Sequence, residues 1–252
     1  MPAPIALQLY TVRDALAKDF AGVVRKVAGI GYVGVEPAGF PGTNARQAAS
    51  LFRELGLAVP SAHTPLPLGE QKNQVLDAMG ELGCTRIISG KGPDDFRTRD
   101  QIAQTCELFN QANAVALQRG LRFGIHNHWW EFLRVEGRLV YQVMLEHLEP
   151  EVFFEIDTYW AKTAGADPAQ VLNELGSRAP LLHIKDGPAM QGAPQVAVGD
   201  GVMDIPALVA AGAKTTEWLI VELDHCATDM MVAVERSYAY LVGQGLASGN
   251  TG

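Results

Sequence analysis

The sequence has no run of about 18 apolar residues, the length a membrane-spanning helix requires, and its opening MPAPIALQLYTVRD lacks the basic-then-apolar layout of a secretory signal. The chain is therefore expected to be cytoplasmic and to have no membrane partner. It also lacks a basic cluster: 20 Lys and Arg stand against 28 Asp and Glu, a formal net charge of −8. A nucleic-acid backbone is repelled by such a surface, so no nucleic-acid partner is expected. Cysteine is scarce. Cys84, Cys106 and Cys226 form neither a CxxC pair nor a short Cys/His spacing, which argues against a disulfide framework and a structural zinc site. Neither GxGxxG nor GxxxxGKS/T occurs, which removes the two glycine-rich phosphate cradles. No Gly/Ser-rich or Pro-rich linker interrupts the composition, and only the tail from Ser248 to Gly252 reads as loose.

What is present is one rhythm carried from end to end. Short apolar, β-branched segments alternate with longer segments of helical period, giving eight cycles of about 31 residues, the size of one βα step. The expected strands are Ile5–Tyr10, Val33–Glu36, Ala58–Ala62, Arg86–Ser89, Arg122–His126, Val152–Asp157, Leu181–Lys185 and Trp218–Leu223. The clearest helices are Phe20–Ile30, Ala45–Leu55, Gln71–Leu82, Arg99–Arg119 and Met231–Gly243, with shorter ones near Tyr141–His147, Pro168–Leu175 and Ile205–Ala211. Gly31, Gly56, Gly83, Gly120 and Gly176 each follow a periodic stretch and precede the next strand, where a helix C-cap requires them. Eight consecutive βα units predict a single domain over residues 1–252 with the fold of a single (β/α)8 TIM barrel.

In such a barrel the chemistry gathers at the C-terminal ends of the strands. Those ends carry Gln8, Glu36, His63, His126 with His128, Asp157, His183 with Lys185, and Glu222 with Asp224. Residues i and i+2 share a strand face, so each of the three pairs points to one side. Any one of these positions reads equally as a loop start or a helix cap; their convergence is the signal. A charged carboxylate in a crowded mouth needs a partner, and a divalent cation is one. His63 is as readily a hydrogen-bonded barrel residue, and Glu36, followed by Pro37, fits a turn. Trp130 of the Trp129–Trp130 pair and Trp160 fit either the core or a sugar-stacking surface. Asp200 and Asp204 read as turn and cap residues, and Met190 to Pro194 as a lid segment.

The segments LQLYTVRD, GIHNHWWEF, EIDTYWAKTAGADP, LLHIKDG, VGDGVMDIPAL and VELD together resemble the xylose isomerase-like barrel superfamily, in particular its sugar phosphate isomerase/epimerase group with inosose dehydratase-like and keto-sugar lyase-like members. The resemblance runs nearly end to end and implies one divalent metal ion held by a Glu, Asp, His, Glu set from strands five to eight. Asp157, His183 and Glu222 match that set. At strand five His126 stands where the ketose epimerase branch has a glutamate, so Glu131 of HNHWWEF is assigned as fourth ligand, with His126 or His128 competing. The ion is expected to be Mn²⁺, Mg²⁺ or Co²⁺, with Zn²⁺ also admitted.

The resemblance implies a small-molecule carbohydrate substrate and isomerisation or epimerisation through a metal-stabilised enediolate. The alternative is a lyase or dehydratase acting through the same enolate on a keto-sugar, 3-keto-glycoside or inosose. Glu222, His126 and His128 are candidate bases, and Lys185 either holds a substrate oxygen or pairs with Asp157 or Asp186. Gln8, Glu36, His63, Trp130 and Trp160 are the expected substrate-binding residues. A homo-oligomer fits barrels of this kind. An abasic-site endonuclease, the superfamily's other branch, is opposed by the −8 charge, and a barrel that only binds a sugar or a partner predicts no metal.

Overall fold

The computed structural model describes residues 1–250. Eight parallel strands form the barrel: β1 (Ile5–Gln8), β2 (Gly34–Glu36), β3 (Ala62–His63), β4 (Arg86–Ser89), β5 (Arg122–His126), β6 (Phe153–Asp157), β7 (Leu181–Ile184) and β8 (Trp218–Val221). They pair in the order β2-β1-β8-β7-β6-β5-β4-β3. A bridge between Gly34 and Ala58 closes the ring, with Val35 N–H donating to the Ala58 carbonyl at 2.9 Å. The chain therefore folds as a single (β/α)8 barrel. Its outer ring consists of α1 (Phe20–Ile30), α2 (Ala45–Glu54), α3 (Gln71–Leu82), α4 (Arg99–Leu117), α5 (Val140–His147), α6 (Pro168–Leu175), α7 (Ile205–Gly212) and α8 (Met230–Gly243). Asp19, Asn44, Thr98, Asp167, Asp204 and Asp229 each accept a first-turn N–H and so start six of these helices. Gly31, Gly56, Gly83, Gly120 and Gly176 all take positive φ, as helix ends require.

Alternation along each strand sorts the side chains. Ile5, Leu7, Phe123, Ile125, Phe154, Ile156, Leu182, Ile184, Leu219 and Val221 join the large core cluster with the helices. The other face points into the barrel, where Ala6, Ile88, Phe153, Leu181 and Ile220 form a separate apolar cluster with Trp218 against it. Two glycines make this filling fit. A Cβ on Gly124 would stand 2.4 Å from the Phe153 ring, and one on Gly34 would stand 2.7 Å from the Trp218 ring. Among the described residues, no helix is long and apolar enough to cross a membrane.

Several sequence expectations are corrected. Strand three is not Ala58–Ala62: Ala58 makes only the bridge, and the strand proper is Ala62–His63. Pro60 between them has no N–H to give to a ladder. Strand one stops at Gln8, whose Oε1 takes the Tyr10 N–H and turns the chain into a 3-10 segment, Leu9–Val12. Ser248 is not loose: its N–H donates to Ala3 O and its carbonyl accepts from Ile5 N–H, both at 2.9 Å, and Asn250 is tied to Gly31. Thr251 and Gly252, in the same expected tail, lie outside the described residues. A small hairpin, Arg134–Val135 with Arg138–Leu139, turns through Glu136 and Gly137, both at positive φ, and precedes α5. The sequence reading had no element there.

Candidate active site

Two residues above the apolar floor, the inward face becomes polar. The i, i+2 rule carries Ala6 to Gln8, Gly34 to Glu36, Gly124 to His126, Phe153 to Glu155 and then Asp157, Leu181 to His183 and Lys185, and Ile220 to Glu222 and Asp224. Glu36, Glu155, Asp157 and Glu222 are all buried, as are His183 and Lys185. Burying that many charges is tolerable only if they are paired or bind a cation.

The lower tier is a carboxylate–imidazole network. Glu36 Oε2 accepts from Gln8 Nε2 at 2.7 Å and lies 2.8 Å from His183 Nε2, while Glu36 Oε1 accepts from Ser61 Oγ. Glu155 Oε2 lies 2.6 Å from His63 Nε2 and 3.1 Å from His183 Nε2. Burial opposes charge on both rings, but Glu36 and Glu155 outweigh it, bringing His63 up to about 10 and holding His183 well above the usual imidazole range, Glu222 contributing to the latter. Burial also works against ionised Glu36, yet His63 and His183 keep its carboxyl well below the carboxylate range.

The upper tier faces the mouth. His183 Nδ1 lies 2.8 Å from Glu222 Oε2. Lys185 Nζ donates to Asp224 Oδ2 at 2.6 Å and stands 2.7 Å from Glu222 Oε2 and 2.9 Å from Asp157 Oδ2. Lys185 does not pair with Asp186, which instead accepts backbone N–H groups from Gly187, Gly199, Gly201 and Met203 and so shapes the VGDG loop. Asp157 divides its work: Oδ1 accepts the Trp160 N–H at 2.9 Å, and Oδ2 is left to the ion pair with Lys185. Burial pushes Asp157 up to about 6, partly offset by Lys185. Burial, then the neighbouring His183, keeps His126 well below the usual imidazole value, and burial with Lys185 brings His128 to about 4.

Two groups of donor atoms, each lying within 4.8 Å of one another, meet the needs of a metal ion: His126, Asp157, His183 and Glu222, and His63, His126, Glu155 and His183. The first suits a divalent ion well. His126 turns its Nε2 toward Asp157 Oδ2 at 4.0 Å, and His183 is already oriented from behind by Glu36, as metal-binding imidazoles usually are. An incoming ion competes with the Lys185 ammonium for Asp157 and Glu222.

Asp157, His183 and Glu222 thus come together, with His126 rather than Glu131 beside them. Glu131 belongs to neither group; its Oε2 accepts the His128 N–H at 2.8 Å, and its Oε1 is buried without a partner. A cavity of about 260 Å³ opens over the upper tier, lined by Tyr10, Ser89, His63, His126, His128, Glu222 and Asp224 among others. Of the expected substrate-binding residues, His63 lines it, while Gln8 and Glu36 lie buried beneath. Trp130 stacks on His128 at 4.2 Å, and Trp160 lies 5.5 Å from Lys185 Nζ. Sequence reasoning missed Glu155, although EID repeats the same i, i+2 pattern used for the other strands. It also passed over Ser89, at the end of β4, and Tyr10, just past β1.

A buried histidine–carboxylate cluster at the C-terminal mouth of a (β/α)8 barrel defines a barrel with a metal-capable site. The chain belongs to the xylose isomerase-like TIM barrel family, whose profile matches residues 24–237. Among solved structures it is similar to a sugar phosphate isomerase/epimerase from Parabacteroides distasonis, with 25% identity, 98% of this chain and 96% of that one covered, and a TM-score of 0.84. It shares its fold with a probable 3-DHS dehydratase, AsbF, from Bacillus anthracis (12% identity, 95% and 98% covered, TM-score 0.76). It shares it also with an L-ribulose 3-epimerase (16% identity, 97% and 94% covered, TM-score 0.71). No curated protein matches the sequence.

Proposed function

We propose that the chain is a divalent-metal-dependent isomerase or epimerase of a sugar or keto-sugar, moving a proton on the carbon beside a carbonyl through an enediolate. The observation that carries this reading is the convergence of His126, Asp157, His183 and Glu222 beneath a cavity whose walls hold further imidazoles. The similarity to the Parabacteroides distasonis isomerase/epimerase supports it. A divalent ion bound by those four residues supplies Lewis acidity toward a ketone oxygen and its neighbouring hydroxyl. Two imidazoles and two carboxylates suit Mn²⁺, Co²⁺ or Zn²⁺ better than Mg²⁺.

The chain's own residues supply the proton traffic. His128, kept neutral by burial, has a free nitrogen to accept a proton, and Glu222 is an ionised carboxylate on the same cavity. Tyr10, Ser89 and Asp224 offer hydrogen bonds to hydroxyls. Lys185 sits behind Glu222 rather than on the cavity wall, paired with Asp157, Glu222 and Asp224.

A lyase or dehydratase is the second reading, favoured by His63. This ring lines the cavity and is held charged by Glu36 and Glu155, so it can donate a proton to a departing β-substituent. The test is proton NMR in deuterium oxide with metal-loaded protein and a panel of keto-sugars. Loss of the signal beside the carbonyl, abolished in Glu222→Gln, supports the isomerase reading, and release of a β-substituent supports elimination. No exchange and no release with any ketose contradicts both.

A further inference from the structure

The cavity does not end at His63. A second groove of about 460 Å³ shares His63, Ser89 and Gly90 with it and continues across the C-terminal face over β3 and β4. Its far wall is apolar: Pro65, Leu66 and Leu68 from the loop after β3. This wall is built into the fold. Leu66 and Leu68 pack on the main core, and Thr64 N–H donates to the Ile88 carbonyl at 2.9 Å. At the boundary between the two spaces stands Gly90, where a Cβ would meet the His126 carbonyl at 3.3 Å.

We propose that this outer groove is a second substrate subsite, taking an uncharged ring joined to the sugar in the inner cavity and binding it by its apolar face. The proposal rests on the carbohydrate reading of the inner cavity. That cavity, about 260 Å³, is smaller than the ~300–1,000 Å³ of most ligand pockets, so it holds one monosaccharide-sized body and leaves any substituent to continue past His63. The apolar wall selects what continues. Sugar and aryl rings present C–H or π faces that pack on leucine and proline, whereas a phosphate dianion requires several converging donors. Among the described residues, Lys91 is the one lysine or arginine lining either space, and the charged ring of His63 is already engaged by Glu36 and Glu155. Its carbonyl accepts from Trp130 Nε1 at 3.1 Å, which joins the groove's rim to the HNHWWEF segment.

The test measures binding to the metal-loaded full chain by calorimetry, using methyl and phenyl glycosides in the gluco, galacto and manno series and the corresponding 6-phosphates. In whichever series binds, the phenyl glycoside is expected to bind about tenfold more tightly than the methyl one, the gain from burying one ring face. Leu66→Asp brings that ratio close to one, and Leu66→Met keeps it. Equal affinity of methyl and phenyl glycosides overturns the subsite and leaves the inner site standing. Tighter binding of a 6-phosphate, lost in Lys91→Ala, overturns it in favour of a phosphate groove. Exchange on a keto-sugar without binding of any glycoside overturns the subsite alone, and neither exchange on keto-sugars nor binding of any glycoside overturns the carbohydrate reading and the subsite together.

Discussion

His183 Nε2 lies 2.8 Å from Glu36 Oε2, a contact that spans 147 residues of sequence and fixes the ring so that Nδ1 faces Glu222. Glu36 is therefore a positioning residue for any ion bound between His183, Glu222, Asp157 and His126. Removing such a partner usually weakens metal affinity by about 10–100-fold. Glu36→Gln is expected to lose affinity by that factor while keeping the fold, as read by competition with a fluorescent chelator. Unchanged affinity would mean that His183 needs no support from behind.

The barrel floor depends on a missing side chain. With a Cβ at Gly124 2.4 Å from the Phe153 ring, Gly124→Ala is expected to destabilise the protein by about 1–3 kcal/mol in urea unfolding, the usual range for overpacking. Adding Phe153→Leu should recover part of the loss. If the double variant is no more stable than Gly124→Ala alone, the steric account of this strand pair is wrong.

Glu131 links stability to pH. Burial pushes its carboxyl up to about 8, only partly relieved by the His128 N–H it accepts. A folded-state value above the unfolded one, about 4.3, stabilises fully below that lower value and is lost as pH rises toward 8. The slope approaches ~1.4 kcal/mol per pH unit in that window. Glu131→Gln keeps the hydrogen-bond acceptor and removes the titration. Urea midpoints of the wild type are therefore expected to fall more steeply from about pH 5 to 8 than those of the variant, and parallel pH profiles would contradict the assignment.

Cys84 and Cys106 are buried, and burial pushes both thiols up to about 12, whereas Cys226 is only half-buried. Thiolate is the reactive form. Native protein is expected to yield one fast-reacting thiol with an aromatic disulfide reagent, and unfolded protein all three. Rapid reaction of two or more in the native state would show that the barrel opens at α3 or α4.

The βα rhythm was legible because most repeats carry their own punctuation: an apolar strand, a capping Asp, Asn or Thr at six helices, and a glycine at five helix ends. Strand three was harder to read because Pro60 breaks its ladder, leaving a bridge at Ala58 and a two-residue strand. The tail from Ser248 to Asn250 looked loose because small polar residues have no hydrophobic signature. Its order comes from backbone bonds to Ala3, Ile5 and Gly31, distant partners that local composition does not encode.

In the site, His126, Asp157, His183 and Glu222 were visible as strand-end residues, since alternation alone sends them into the mouth. Glu155 was equally accessible to that rule but stood inside an apolar strand, FFEID, where a carboxylate one rung down was read past. Glu131 was drawn in as a ligand by its place in HNHWWEF. Its turn after β5 instead directs the carboxylate back to the His128 amide, outside both groups of metal-capable donors. No spacing rule reports where a loop side chain points.

The central claim is that the four converging donors hold an ion, and metal stoichiometry by mass spectrometry on protein purified without chelator tests it most directly. The account predicts about one divalent ion per chain in the wild type and none in an Asp157→Ala, Glu222→Ala double variant that retains its circular dichroism. A wild type that takes up no ion when Mn²⁺, Co²⁺ and Zn²⁺ are offered would contradict it and leave Lys185 as the cation those carboxylates are built to hold.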